Sequence, residues 1–123
     1  QVPLTHRSMS RSLHFVTGHG ADGSVPAHDW AGLARAGGTI AAYMAVRTLP
    51  TVAARLIEAG MPGSTPAVAV ENASRADERR LFGTLGDLPT SLADAGFSGP
   101  TLVLIGEVVS LAEELAAVER LVA

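Results

Sequence analysis

Short apolar runs alternate along this chain with segments whose apolar residues recur every three or four positions, and glycine or proline marks most of the joints. Switching between a strand-like and a helix-like period points to an α/β domain, because each pattern leaves an apolar face that another element must cover. Strands are predicted at 12–17, 39–46, 66–70, 79–85 and 101–105. The last, Thr-Leu-Val-Leu-Ile, is the most hydrophobic and is expected at the centre of the sheet. Asp29 is placed to cap a helix over 30–35 that Gly37 and Gly38 close. Thr48 caps a second, with Pro50 in its first turn and Gly60 at its end. Asp87 caps a third, with Pro89 in its first turn and Gly96 after Ala95. Ser110 opens the last helix, and Glu113 three residues on completes a capping box. Leu49, Val52, Ala53, Leu56 and Ile57 share a face of the second helix; Leu111, Leu115, Val118, Leu121 and Val122 share one of the last. The order β-α-β-α-β-β-α-β-α predicts an α/β fold, a mixed sheet of about five strands packed with helices.

Length and composition narrow what such a fold can do. At 123 residues the chain suits a single domain over 1–123, and 47% hydrophobic against 17% charged residues supplies a core rather than disorder. Cysteine is absent, which removes disulfides, thiolate nucleophiles and cysteine-ligated metals. All nine basic residues are arginine, so lysine Schiff bases and a P-loop lysine are excluded too. A net charge of −3 provides no field for nucleic acid. No apolar run approaches the roughly 18 residues of a membrane span. Thr5, His6, Arg7 and Ser8 interrupt any signal-peptide core, so a cytoplasmic, reducing location is expected. The chain opens on Gln1 and stops at Ala123 directly after a helical pattern, which reads as a segment of a longer protein.

Several motifs carry chemistry only at first sight. Gly18-His19-Gly20-Ala21-Asp22-Gly23 matches the dinucleotide pattern, but Pro26 interrupts the helix that pattern requires and no ribose-binding acid follows the next strand. It is a glycine-rich turn. His14 and His19 differ by an odd number along a strand and face opposite sides, and with only Asp22 and Asp29 near them no metal is expected. His19, at a strand end, is placed to line a cleft. There is no G-x-S-x-G elbow. Asn72-Ala73-Ser74 is a glycosylation sequon with no secretory context, and Glu113, Glu114 and Glu119 form a solvated helix face. Arg75, Arg79 and Arg80 put three guanidiniums beside a strand end, suited to clamping carboxylates. They are equally an ordinary charged loop balanced by Asp77 and Glu78.

A set of short motifs, in order and at matching spacing, resembles the uroporphyrinogen-III C-methyltransferases of the tetrapyrrole methylase family. They are Pro3-Leu4-Thr5-His6-Arg7, Phe15-Val16-Thr17-Gly18-His19, Asp29-Trp30 with Leu33-Ala34, Tyr43-Met44, and Leu56-Ile57-Glu58-Ala59-Gly60-Met61. Val70-Glu71-Asn72, Gly83-Thr84-Leu85 and Leu104-Ile105-Gly106-Glu107-Val108-Val109 continue the match, which covers nearly the whole chain. The resemblance implies a two-lobed homodimer that uses S-adenosyl-methionine to methylate C2 and C7 of uroporphyrinogen III. The products are precorrin-2, for sirohaem and cobalamin, and S-adenosyl-homocysteine. This chain matches the C-terminal lobe alone; the family's glycine-rich loop and its acid/base residues have no counterpart here, so catalytic residues are expected in an N-terminal lobe.

Two cofactor contacts carry over by the same resemblance. Met44 matches the methionine beside the adenosyl group, and Ala73 a cofactor-contacting position that is often glycine. Ala45 also stands where glycine is common, so either alanine is a candidate for a left-handed backbone. Taken alone, Met44 reads as core packing. The implied substrate carries eight carboxylates while the chain is net negative, so attraction falls to local arginines: Arg7, Arg47, Arg75, Arg79 and Arg80. Two other readings stand beside this one, a methyltransferase for another tetrapyrrole such as a precorrin, and a non-catalytic lobe that binds a tetrapyrrole or dimerises.

Overall fold

The computed structural model describes residues 2–122, apart from the side chains at positions 116, 119, 120 and 122. The ends Gln1 and Ala123, and the side chains of Glu119 and Val122 assigned above to helix faces, lie outside that description. The elements are β1 (Leu13–Thr17), α1 (Trp30–Ala36), β2 (Thr39–Tyr43), α2 (Leu49–Glu58), β3 (Pro66–Glu71), β4 (Arg79–Thr84), α3 (Leu88–Ala95), β5 (Thr101–Ile105) and α4 (Val109–Val122). They build one five-stranded sheet in the order β1-β2-β5-β3-β4. β1 and β2 are parallel, whereas β5 runs antiparallel to both β2 and β3, and β4 is antiparallel to β3. The apolar 101–105 run is therefore central, as its composition demands.

Alternation along the strands divides the side chains between two faces. Ile40, Ala42, Ala67, Ala69, Val103 and Ile105 meet Leu49, Val52 and Leu56 of α2 and Leu88 and Leu92 of α3. Burial of each such leucine or isoleucine contributes about 1.5–3 kcal/mol. On the other face Ala41, Val68 and Leu104 are covered by Val109 at the start of α4. Phe15 and Tyr43 also lie on that face, stacked at 5.8 Å and largely exposed.

The helix starts depart from expectation in their hydrogen bonds. Asp29 does cap α1, accepting from the Gly32 N–H, and Gly37 and Gly96 end α1 and α3 in the left-handed conformation only glycine adopts freely. Thr48 and Asp87 precede their helices without side-chain cap bonds. Asp87 instead accepts from the Thr84 N–H at 2.7 Å, tying α3 to the end of β4. Ser110 is no cap at all: α4 begins at Val109, and the Ser110 hydroxyl donates to the Glu107 carbonyl at 2.7 Å, so the capping box is not formed. The expected apolar face of α4 also fails. Val109 and Ala112 are buried, but Leu115, Val118 and Leu121 are exposed, because only the first turns reach the sheet. Ile57 likewise turns outward from the α2 face.

At the end of β1 the chain runs directly under the β2–α2 connection. The Gly18 N–H donates to the Tyr43 carbonyl at 2.7 Å. A side chain at Gly18 would stand 2.7 Å from the Thr48 hydroxyl and 2.8 Å from Ala45, so this crossing requires glycine.

Candidate functional site

The strand directions gather the carboxyl ends of β1, β2 and β3 and the starts of β4 and β5 along one edge of the sheet. Ligands of α/β sheets collect at such an edge, where chain leaves the sheet in loops. His19, Met44 and Ala73 lie along it, following β1, β2 and β3 in turn.

Met44 directly follows β2, so the strand stops three residues short of the end of the apolar run at Val46. The Met44 φ is +53°, a left-handed conformation disfavoured for a residue with a Cβ, and its side chain is 62% exposed. Core packing therefore does not account for it. Ala45 carries the burial instead, fully inside, and neither Ala45 nor Ala73 has positive φ. The left-handed residues are their neighbours, Met44 before Ala45, and Asn72 (φ +52°) and Ser74 (φ +66°) on either side of Ala73.

Met44 borders a cleft of about 440 Å³ whose walls are His19, Tyr43, Val46, Arg47, Gly99, Pro100 and Thr101. An exposed thioether side chain in a cleft also lined by an aromatic ring and a proline suits a flat, largely apolar group such as an adenosyl moiety. Ala73 lies on a second groove, of about 610 Å³, floored by Val68, Val70, Phe82, Leu102 and Leu104 and rimmed by Arg75 and Arg80.

A buried carboxylate paired with a half-exposed arginine holds the wall shared by these loops. Glu71, at the end of β3, is 3% exposed, and its carboxylate accepts from the Arg79 Nε–H (2.7 Å), the Ser98 N–H (2.7 Å) and the Gly99 N–H (2.8 Å). The Arg79 hydrogen bond, followed by the Gly99 amide, lowers the Glu71 pKa from 4.5 to about 2. Arg79 also donates to the Ala95 and Gly96 carbonyls and lies 4.4 Å above the Phe97 ring. The next residue, Asn72, donates its N–H to the Pro100 carbonyl at 2.8 Å. The Glu71 carboxylate thus holds the 98–100 turn, and the Asn72 amide ties the start of the Asn72–Ser74 loop to that same turn.

The five arginines are not brought together. Arg79 is held by Glu71, Arg80 by Glu78 (2.8 Å) and Arg75 by Asp77 (3.6 Å). Arg47 borders the Met44 cleft. Arg7 belongs to a turn bridged by His6 and Ser10. Ser10 bonds Thr39 at the start of β2, which puts Arg7 at the opposite edge of the sheet. Sequence reasoning missed the role of Glu71. The signal was an acid closing an apolar strand, but it becomes legible only once the hairpin register sets Glu71 opposite Arg79. Among the described residues no group of three or more histidine, aspartate or glutamate side chains is arranged to hold a metal, and no helix is long and apolar enough to cross a membrane.

Comparison with known proteins gives one consistent picture. The model of the Tetrapyrrole (Corrin/Porphyrin) Methylases matches residues 1–89. The siroheme synthase of Methylococcus capsulatus is 42% identical over 115 residues, covering 94% of this chain and 24% of that protein. The chain thus spans about a quarter of the length of the curated relatives it matches. Among solved structures, the uroporphyrin-III C-methyltransferase of Thermus thermophilus complexed with S-adenyl homocysteine superposes with a TM-score of 0.76 at 30% identity, over 89% of this chain and 46% of that one. A cobalt precorrin-4 methyltransferase superposes with a TM-score of 0.77 at 25% identity, over 88% of this chain and 45% of that one.

Proposed function

The chain belongs to the tetrapyrrole (corrin/porphyrin) methylases, and from that premise we propose that it forms the C-terminal lobe of a two-lobed, S-adenosyl-methionine-dependent enzyme that converts uroporphyrinogen III to precorrin-2. The observation that carries the reading is Met44: a left-handed, largely exposed methionine at the sheet edge, beside an apolar cleft. A backbone conformation that costs free energy and gains little burial in return is characteristic of a residue kept for a ligand. The likeness to the Thermus uroporphyrin-III C-methyltransferase, whose structure holds S-adenyl homocysteine, supports the choice of cofactor and substrate.

When bound, S-adenosyl-methionine supplies the electrophilic methyl of its sulfonium. Met44 and the apolar walls of its cleft receive the adenosyl group and exclude water from it, while Ala73 leaves room where a larger side chain would intrude. The acid and base for tautomerisation of the methylated ring come from the other lobe. We place the enzyme in the cytoplasm and take it to be a homodimer; the exposed Phe15–Tyr43 stack and the uncovered Leu115, Val118 and Leu121 support the second of these.

The test is methyl transfer from labelled S-adenosyl-methionine to uroporphyrinogen III. The two-lobed protein carrying this chain is expected to turn over and the isolated 123 residues are not, since half of the cleft is missing. Turnover by the isolated chain at the rate of the two-lobed protein would sink the lobe assignment. Transfer to a precorrin but not to uroporphyrinogen III would reassign the substrate.

A further inference from the structure

Among the described residues Glu71 is the one ionisable side chain that is buried. Burying a carboxylate is costly unless its lone pairs are filled, and here two other segments fill them. Arg79 of β4 donates to Oε1, while the amides of Ser98 and Gly99 both donate to Oε2. An ion pair alone would need only the arginine. The second oxygen is given wholly to the turn between α3 and β5.

That turn is a wall of the Met44 cleft, which Gly99, Pro100 and Thr101 line together with Tyr43, Met44 and Arg47. Glu71, Arg79 and Ser98 line none of it. They border a separate hollow of about 500 Å³ that shares Gly99 with the cleft. The turn is joined to the Ala73 loop as well. Asn72 donates its N–H to the Pro100 carbonyl at 2.8 Å, and a side chain at Gly99 would collide with the Asn72 amide group. Asn72 is itself left-handed, and its Nδ2–H donates to Asp77 at 3.1 Å. The loop that carries Ala73 and the cleft that holds Met44 therefore share one turn, fixed from behind by one carboxylate.

We propose that Glu71 is a positioning residue for the cofactor cleft: it touches no ligand, and by holding the Ser98 and Gly99 amides it sets where Gly99 and Pro100 stand as the cleft wall. The ligand's identity rests on the methyltransferase reading; the positioning rests on the hydrogen bonds. Glutamine has nearly the same shape but one acceptor oxygen in place of two, and its NH2 group faces donors. In Glu71→Gln at least one of the three donors loses its partner, and the turn is released to shift.

The two-lobed protein carrying this chain is titrated with S-adenosyl-homocysteine by calorimetry and assayed for methyl transfer to uroporphyrinogen III, with urea stability measured for each variant. Glu71→Gln is expected to weaken S-adenosyl-homocysteine binding about threefold to thirtyfold, the range for a residue acting on a site through packed neighbours. The KM for S-adenosyl-methionine should rise by the same factor, with kcat and the KM for uroporphyrinogen III within twofold of wild type. Arg79→Gln keeps both amide bonds but leaves a buried carboxylate without its cation, so it should lose more stability than Glu71→Gln and less cofactor affinity. Leu85→Val, buried at the opposite edge of the sheet, should lose stability with cofactor affinity within twofold of wild type. A merely structural role predicts instead that affinity follows stability across the three variants, and that result overturns the proposal. Unchanged affinity in Glu71→Gln overturns it too. Gly99→Ala displaces the same turn by a second route, its methyl meeting the Asn72 amide, and unchanged affinity there overturns the proposal even where Glu71→Gln does not fold. A wild type that binds no S-adenosyl-homocysteine refutes the methyltransferase reading and this inference with it, whereas equal binding by wild type and Glu71→Gln refutes the positioning role alone.

Discussion

Replacing Met44 by glycine and by alanine separates what this residue costs the fold from what it does for a ligand. A residue with a Cβ in the left-handed region costs about 1–2 kcal/mol relative to an ordinary conformation. Glycine escapes that cost but loses about 0.5–1 kcal/mol more backbone entropy on folding than alanine. Met44→Gly should therefore be more stable than Met44→Ala by about 0.5–1 kcal/mol. Against methionine itself the lost side chain matters too. At 62% exposure it buries a little over a third of its surface, worth roughly 0.5–1 kcal/mol. The glycine variant should then lie close to wild type, and the alanine variant should fall below it by that amount. Urea unfolding of the 123-residue chain reads the difference, as does a melting temperature lower by about 2–5 °C in Met44→Ala than in Met44→Gly. In the two-lobed protein both variants should bind S-adenosyl-homocysteine more weakly by about 1–2 kcal/mol, the apolar contact being lost in each. An alanine variant as stable as the glycine one would refute the strained backbone at this position. Unchanged affinity in the glycine variant, with its fold intact, would remove Met44 from the cofactor site.

Two further outcomes follow from neighbouring features. The Glu71 pKa is depressed from 4.5 to about 2 in the folded chain, so its contribution to stability is fully present above about pH 4.5 and is lost as pH falls towards 2. Glu71→Gln should be destabilised at neutral pH, and its deficit relative to wild type should shrink across that window; a deficit independent of pH there would contradict the ion pair. Gly18→Ala would drive a methyl group to within 2.8 Å of Ala45, at a cost of about 1–3 kcal/mol in overpacking, and wild-type urea stability in that variant would refute the close crossing.

Much of the fold was legible because its elements announce themselves locally. The run Thr101–Ile105 is too apolar for any place but the middle of the sheet, and Pro50 and Pro89 mark helix first turns where a missing N–H is harmless. What the sequence misled on depended on partners. Ser110 and Glu113 have capping-box spacing, yet the hydroxyl found the Glu107 carbonyl one turn earlier. The periodicity of Leu115, Val118 and Leu121 fixes a face but says nothing of what covers it. At the candidate site, Met44 and Ala73 were singled out only through family likeness, since a methionine closing an apolar run resembles core until its backbone turns left-handed. The commitment of Arg79 to Glu71 was hidden for a different reason. Eight residues separate them, and only the β3–β4 register brings them face to face.

The central strand is also the last of the sheet's five in chain order, and that has a consequence for how the sheet emerges from the ribosome. Until Thr101–Ile105 arrives, β1 can pair only with β2 and β3 only with β4, leaving two ribbons with no ladder between them. The open edges are those of Ile40–Tyr43 and Ala67–Glu71, the most apolar strands made so far. Assembly is therefore a late, non-local event that zips two halves together around one inserted segment. A nascent chain stalled before residue 101 would display two unprotected β edges at once, the kind of surface that holdase chaperones bind and that neighbouring chains on a polysome can capture.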